Sequence, residues 1–504
     1  MKTINRIAIA TLMCISLVIL QACSSGEPTS LEDTPDSVEV ESVTSTVDKD
    51  SGTVEDATST VEQDAVTDTV EPGPVPAHRL MPTNFTYQGA FRLPDDFAWG
   101  ALGLSYYPGG DGGAGSLFVT GFQGLLDGSG EPCYEGSTGC NAFFAEVSIP
   151  TPDHAANWED LPTASFIQDM AIFDGGLVQT VHEAYSFVSD IEYVPQLGSQ
   201  TSDKLYGSLN EWYPEGSFGD DSFPTIWFSD LDGSNARGMF HVGPEEPPFH
   251  GIKMGSYLFS VPQAYAERYL GGRTLVTGRA RGTAPPGSPG LDSEGAIAGG
   301  SQGPTLIAFR TWGSDDPSGK LDALPMLFYR VKYPGCAGPD IGVGGQPVNC
   351  DFPGFSMCDD WTGAAFVQAG DRAAIAIVGL KGTTSCYYCG DPVDDSECGV
   401  EPLSGECDIM CNEERGYHCG PYLRQVLLYD TEELGQAASG EIEPWSVLPY
   451  AVWEPAELYL PSPCCYNMGG MAFDASGGRM FITERGLGEG DMNAAVVHIW
   501  SVNP

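Results

Sequence analysis

A pair of apolar runs recurs five times between about residue 80 and residue 504. Each copy has one apolar run, a turn rich in Gly, Asp or Pro, and a second apolar run that usually ends in a small residue. Short apolar runs bounded by such turns are typical of β-strands that are buried in a sheet. The five pairs begin at Gly103 and Ser116, Asp190 and Lys204, Tyr257 and Arg273, Gly363 and Ala374, and Gly470 and Arg479.

A further strand-like run follows each pair. These runs begin at Phe143, Thr225, Thr305, Gln425 and Val496. Two inner strands and one or two outer strands per unit are the content of a propeller blade. The chain therefore resembles a β-propeller over about residues 80–504, and this resemblance implies an all-β fold with five blades. Because insertions make the spacing uneven, six or seven blades are alternatives, and an array of β-sandwiches is the competing fold.

Residues 85–93 form an isolated strand-like run before the first pair. We predict that this run is the outer strand of the final blade, because such pairing closes the ring and removes a free sheet edge. The 64 Gly and 38 Pro residues suit short strands joined by tight turns and leave little room for long helices.

The N-terminus has the features of an export signal. Lys2 and Arg6 form a basic region, residues 7–20 form an apolar region, and residues 20–23 read Leu-Gln-Ala-Cys, a lipobox. A transmembrane helix is the alternative, but the apolar region is shorter than the roughly 20 residues that such a helix needs. The chain thus resembles a bacterial lipoprotein.

The resemblance implies that the signal peptide, residues 1–22, is removed and that Cys23 becomes the mature N-terminus. Palmitate and related acyl chains on Cys23 would hold the protein on a membrane of the cell envelope. Ser24 follows the lipidated cysteine, and in enterobacterial lipoproteins a residue other than Asp at this position permits transfer to the outer membrane. We therefore expect an exported protein that is anchored in the outer membrane.

Residues 23–78 are predicted to be a disordered tether between the anchor and a folded domain that spans residues 79–504. The segment consists mainly of Ser, Thr, Val, Asp, Glu and Pro, and it carries charge of almost one sign. Such a composition buries too little apolar surface to offset the entropy of ordering. A flexible chain of this length reaches roughly 40 Å. A glycosylated Ser/Thr stalk is the alternative.

The formal charge of −47 extends beyond the tether into the folded domain. Affinity for nucleic acid depends on Lys and Arg contacts to phosphates, so nucleic acid is excluded as an expected partner. An acidic surface attracts cations, and Ca²⁺ is the one ion that we consider as a ligand; no other cofactor is predicted. The segment from Asp230 to Asn235 has the composition of a calcium loop, but its glycine falls at the fourth position, so we predict a hairpin turn there.

Fifteen cysteines are present, and 13 remain after Cys14 is removed with the signal and Cys23 is lipidated. In an exported protein this density predicts disulfides that staple loop insertions. The densest group lies in an insertion at about residues 386–419, for which a zinc site is the alternative. The spacing of the cysteines does not determine which of them pair. Because their number is odd, at least one thiol has no partner within the chain. The candidates are Cys133, Cys140, Cys336, Cys350, Cys358, Cys386, Cys389, Cys398, Cys407, Cys411, Cys419, Cys464 and Cys465.

Several aromatic residues lie beside carboxylates or within the cysteine-rich insertion, an arrangement typical of sugar-binding clefts as well as of blade cores. The predicted ligand-binding residues are Trp212, Tyr213, Trp361, Tyr387, Tyr388 and Tyr417. Glycoside hydrolysis needs two carboxylates on either side of the sugar bond, roughly 5–9 Å apart. Glu211 and Glu484 each follow an inner-strand run and are the candidates for this pair, with His418 as a further catalytic candidate.

Two functions are compatible with these features. The first is a membrane-anchored surface or periplasmic lipoprotein whose propeller binds a carbohydrate or a protein through loops on one face. The alternative is a hydrolase that acts on polysaccharide. The first is favoured because no Gly-x-Ser-x-Gly elbow, His-Glu-x-x-His motif or other complete catalytic motif occurs. The geometry of the central channel should distinguish the two functions.

Overall fold

The chain divides into two units, Met1–Glu71 and Pro72–Pro504, and the described residues all lie in the second unit. A computed structural model describes part of the second unit, so the lipobox, Cys23 and the tether up to residue 77 lie outside the described residues. The described ranges are 78–122, 124–127, 133, 139–178, 186–211, 224–243, 254–280, 301, 303–329, 351–356, 359–383, 387–389, 416–418, 422–460, 467–488 and 494–504.

The second unit is a five-bladed β-propeller. Its chain begins with β1 (His78–Arg79) and β2 (Phe85–Arg92). The first blade contains β3 (Leu104–Tyr107), β4 (Ser116–Thr120), β5 (Phe143–Ser148) and β6 (Phe166–Ile172). The second blade contains β7 (Ser186–Val194), β8 (Lys204–Glu211), β9 (Pro224–Ser229) and β10 (Arg237–Val242).

The remaining blades follow the same plan, with strands counted outward from the axis. The third blade contains β11 (Leu258–Ser260), β12 (Leu275–Thr277), β13 (Leu306–Phe309) and β15 (Ala323–Leu327), while the short β14 (Lys320–Leu321) pairs with β10. The fourth contains β16 (Asp360–Ala369), β17 (Arg372–Gly382), β20 (Tyr422–Tyr429) and β21 (Ala451–Trp453), and β1 pairs with β17. The fifth contains β22 (Asn467–Asp474), β23 (Arg479–Leu487), β24 (Ala494–Val502) and β2.

Three smaller elements lie in the connections between these strands. A two-stranded hairpin, β18 (Tyr387–Cys389) and β19 (Gly416–His418), lies between β17 and β20. Two short helices, α1 (Gln263–Tyr269) and α2 (Thr431–Ala438), follow β11 and β20 respectively. Across the described ranges, neither helix has the length and apolar character needed to cross a membrane.

The ring is closed by the N-terminal strand, as predicted. Strand β2 pairs antiparallel with β24, from Phe85 opposite Val502 to Arg92 opposite Val496. The last blade thus combines strands from both ends of the domain. This pairing covers the edge of β24 that would otherwise expose unpaired backbone groups.

The hydrophobic core is divided into layers between blades. Each of the five largest clusters of buried apolar side chains is drawn from two adjacent blades. The layer between the first and second blades, for example, combines Phe118 and Phe144 with Ile191 and Trp227. Because the inner strands are covered on both faces, each contains a short apolar run, and these runs are why the five predicted pairs match the first and second strands of the five blades.

The connections between strands divide into two faces. The described first strands of adjacent blades run parallel, and the strands within each blade alternate in direction. Connections that join equivalent strands in different blades, such as the second and third strands, therefore lie at the same end of the ring. We call the end that carries the second-to-third connections and the blade-to-blade connections the insertion face. The opposite end, the turn face, carries the first-to-second and third-to-fourth connections, which are all within the described residues.

Candidate functional site

The first strands of the blades approach one another so closely that glycine is required at the contacts. A Cβ atom added to Gly103 in the segment before β3 would lie 2.5 Å from the Asp190 Cα atom. One added to Gly470 would lie 2.7 Å from the Leu104 nitrogen, and one added to Gly363 would lie 2.7 Å from the Met471 nitrogen. At this level the backbones of four blades therefore pack directly against their neighbours, and no ligand fits between them.

Asp190 ties the first strands of three consecutive blades together. Its side chain is completely buried on β7. One carboxylate oxygen accepts hydrogen bonds from the backbone N–H groups of Leu104 (3.1 Å) and Ile191 (2.8 Å), and the other accepts one from the N–H group of Leu258 (2.7 Å). These donors belong to the first, second and third blades. The carboxylate supplies acceptors to strand edges that have no neighbouring strand.

Glu192, two residues further along β7, contacts the same three blades. One oxygen accepts a hydrogen bond from the Ser105 hydroxyl (2.8 Å), and the other accepts one from the Ser260 N–H group (2.9 Å). The Glu192 side chain is half-buried by its solvent-accessible surface, but its location between strands disfavours the charged form. Burial raises the pKa of Glu192 from 4.5 to about 7.

This pair of carboxyl groups differs from a glycosidase pair. A glycosidase places two carboxyl groups on either side of a sugar bond, where both are free to contact substrate. Asp190 and Glu192 instead lie on one strand, and their oxygens are occupied by groups of neighbouring blades. The arrangement can hold the first strands of three blades together.

Glu484 lies in the second strand of the fifth blade, and its side chain is completely buried. One oxygen is 3.0 Å from the His498 Nε2 atom and the other is 3.3 Å from the Arg424 Nη2 atom. The His498 Nδ1 atom lies 3.0 Å from the Tyr87 hydroxyl. This chain of contacts links the fourth and fifth blades, so a structural role for Glu484 stands beside the predicted catalytic role, which stays a prediction.

Trp361, a predicted ligand-binding residue, lies near the start of β16. Its ring is 1% exposed and packs in the core layer between the third and fourth blades. Its backbone N–H group donates a hydrogen bond of 2.7 Å to the Ala280 carbonyl oxygen. In this structure the Trp361 ring therefore contributes to packing between blades, and a ligand has no direct route to it.

The hairpin in the cysteine-rich insertion brings four predicted site residues together. Tyr387 pairs with His418 and Tyr388 pairs with Tyr417 across β18 and β19. Glu211 is the last residue of β8, and the predicted ligand-binding residues Trp212 and Tyr213 lie outside the described residues. Strands β8 and β17 both end at the insertion face. The hairpin and Glu211 therefore lie at the same end of the ring, but the hairpin belongs to the fourth blade and Glu211 to the second.

The structure confirms one disulfide, between Cys133 and Cys140, with Cα atoms 6.1 Å apart. The other cysteine candidates lie outside the described residues, apart from the backbone of Cys389 in β18. All 13 candidates nevertheless fall in four connections, which lie between β4 and β5, β15 and β16, β17 and β20, and β21 and β22. The strands that flank these connections end or begin at the insertion face.

The segment that resembles a calcium loop forms the turn between β9 and β10, as predicted. The Gly233 N–H group donates to the Asp230 carbonyl oxygen (2.9 Å), and the Ser234 N–H group donates to the Asp232 carboxylate (2.9 Å). The ammonium group of Lys204 forms an ion pair with the Asp230 carboxylate, so a side chain of the protein neutralises the charge of this carboxylate. Over the described part of the chain, no three His, Cys, Asp or Glu side chains are grouped to hold a metal ion.

No protein-family model matches the chain, and no curated protein is similar to it. The axial residues Asp190 and Glu192 were not among the predicted site residues. Their spacing of two in the sequence nevertheless indicates that both side chains point to one face of β7.

Proposed function

We propose that this protein is an exported, lipid-anchored binding protein whose propeller engages a carbohydrate or a protein ligand through its insertion face. The anchor would be the acylated Cys23, and residues 23–78 would hold the propeller away from the membrane. The propeller fold is established for the second unit, whereas the anchor, the location and the ligand are the substance of the proposal.

The observation that carries the proposal is the asymmetry between the two ends of the ring. The longest connections, between Thr277 and Leu306, between Leu327 and Asp360 and between Gly382 and Tyr422, all leave and return at the insertion face. All 13 cysteine candidates lie in connections on the same face. Binding residues are commonly carried by loops that a rigid scaffold presents on one face, and crosslinks reduce the entropy that such loops lose on binding.

The disulfide between Cys133 and Cys140 supports export. Disulfides persist in oxidising compartments and are rare where cellular reductants keep thiols reduced. The lipobox and the disulfide are independent features that agree on a location outside the cytosol. The negative charge of the chain further favours a partner that does not present phosphates.

The axis favours binding over hydrolysis. The described first strands pack through glycine, and the carboxyl groups at the axis are bonded to neighbouring blades. Loops at the end of the ring are therefore better placed to meet a large ligand than the axis is. The hydrolase alternative is retained as an outcome of the binding experiment below.

The anchor is tested with the full chain expressed in a bacterial host and compared with the Cys23→Ala variant. We expect the wild-type protein in the membrane fraction, with residues 1–22 absent and acyl mass on Cys23 by mass spectrometry. The variant should lose the acyl mass and leave the membrane fraction. A mature wild-type protein that keeps its first 22 residues would show that the anchor proposal is wrong.

Ligand binding is tested on a panel of glycans and envelope proteins with the Tyr388→Ala and Tyr417→Ala variants. Leu448→Ala is the control, because Leu448 is exposed at 39% in a turn-face connection. We expect the hairpin variants to weaken binding and the control to retain it. If the wild-type protein releases sugars from polysaccharide and Glu211→Gln abolishes the release, the protein is a hydrolase and the binding proposal fails.

A further inference from the structure

A cleft of about 530 Å³ opens on the turn face between the second and third blades. Its walls come from the connection between β7 and β8, the turn between β9 and β10, and the connection between β13 and β15. All three segments are described throughout. The volume falls within the range of about 300–1,000 Å³ that is usual for small-molecule sites.

The charged side chains of the cleft form two compensated pairs. Lys204 pairs with Asp230 within the second blade, and Arg237 pairs with Asp316 across the boundary between the blades. Asn235 adds an amide N–H group that donates to Asp230 (2.7 Å). The cleft therefore has no net charge, although the chain as a whole carries −47.

These pairs leave hydrogen-bonding capacity in the cleft. An ammonium group has three N–H donors and a guanidinium group has five, so a single carboxylate partner does not exhaust either of them. Trp312 lines the same cleft at 8% exposure.

We propose that this cleft binds a neutral sugar of one or two rings. Sugar hydroxyl groups both donate and accept, and the adjacent cations and carboxylates offer donors and acceptors side by side. An anionic ligand would meet Asp230 and Asp316, while a cationic ligand would meet Lys204 and Arg237, so a neutral ligand avoids both repulsions. Phe228 and Trp312 also line the cleft but are only 2% and 8% exposed, so the polar side chains are the groups that would contact the sugar.

This inference goes beyond the proposed function, because it places a second and smaller site at the opposite end of the ring. The two sites share no residue and can fail separately. A hairpin variant such as Tyr417→Ala should leave the cleft unchanged, and a cleft variant should leave binding at the insertion face unchanged.

The test is calorimetric titration of the full chain, kept in a detergent without a sugar head group. The probes are maltose, cellobiose, lactose and their neutral monosaccharides, with galacturonate as an anion and glucosamine as a cation. We expect at least one neutral sugar to bind with a millimolar or tighter Kd. Both charged probes should bind at least tenfold more weakly than that sugar.

Two variants locate the binding. Arg237 is 62% exposed, so Arg237→Gln should fold normally and weaken binding about tenfold through the lost charged donor. Ser202→Ala removes an exposed hydroxyl group that lines the cleft and should also weaken binding. Arg310→Gln is the matched control, because Arg310 is an exposed arginine that pairs with Asp322 outside the cleft. Absence of binding by every neutral probe, preference for galacturonate, or unchanged affinity in Arg237→Gln would overturn the proposal.

Discussion

Replacement of Asp190 by Asn tests whether a buried carboxylate holds the blades together. Burial raises the pKa of Asp190 well above its usual value, whereas hydrogen bonds from the backbone N–H groups of Leu104, Ile191 and Leu258 favour the carboxylate form, which offers only acceptors. The amide of Asn has the same shape but replaces one oxygen with an NH₂ group. Whichever way the amide turns, at least one backbone N–H group then faces another donor.

The expected cost follows from this count. In the better orientation the amide oxygen keeps Leu104 and Ile191, and the NH₂ group faces Leu258. A buried N–H group without an acceptor costs about 1–3 kcal/mol. We therefore expect the free energy of unfolding to fall by about 1–3 kcal/mol, which is a large fraction of the roughly 5–15 kcal/mol typical of a folded domain.

The measurement is urea unfolding of the full chain, followed by tryptophan fluorescence and circular dichroism. Asp96→Asn is the control, because it makes the same chemical change at an exposed position. The control should shift the free energy of unfolding by less than about 0.5 kcal/mol. If Asp190→Asn behaves like the control, the carboxylate does not hold the first strands together and our account of the closed axis is wrong.

Three further predictions concern the same domain. Because burial raises the pKa of Glu192 from 4.5 to about 7, the free energy of unfolding of the wild-type protein should fall as pH rises from about 4.5 to 7. In thermal unfolding measured across that range, Glu192→Gln should make this fall about 2 kcal/mol smaller, and a variant with the same pH profile as the wild type would contradict the prediction. Gly103→Ala should lower the urea midpoint by an amount equivalent to about 3 kcal/mol or more, whereas Gly313→Ala, where an added Cβ meets nothing within 4 Å, should have little effect; equal midpoints would refute the close packing. Cys133→Ser should cost about 2 kcal/mol relative to wild type in non-reducing urea titrations, and the two proteins should converge after reduction; a difference that survives reduction would point to another cause.

The sequence was sufficient to predict the three inner strands of every blade and the outer strand of the fifth blade, but not the outer strands of the other four blades. First and second strands are buried on both faces, so their apolar runs stand out from the turns around them. The outer strand β6 is different, because Ile167 and Ile172 are 42% and 37% exposed and polar residues lie between them. Strand β21 is only three residues long. Neither strand has a pattern that separates it from a loop.

The axial contacts could not be predicted because their partners are backbone groups that are far apart in the chain. Asp190 accepts hydrogen bonds from residues 86 and 68 positions away, and no side-chain motif marks a backbone N–H group as a partner. Glu484 illustrates the same limit. Its contacts with His498 and Arg424 join residues of two blades, and no motif in the sequence marks these residues as neighbours.

The close packing at the axis determines where a ligand can meet this ring. The first strands contact one another through glycine backbones, and the acidic side chains of β7 fill the hydrogen-bonding needs of both neighbouring blades. A ligand that entered between these strands would have to displace backbone hydrogen bonds. Under the proposed binding function, recognition therefore depends on the connections at the two ends of the ring. The long, cysteine-bearing connections of the insertion face suit a large partner, and the small neutral cleft of the turn face suits a compact one. Variants on one face should therefore change binding there without altering the stability of the ring or binding at the other face.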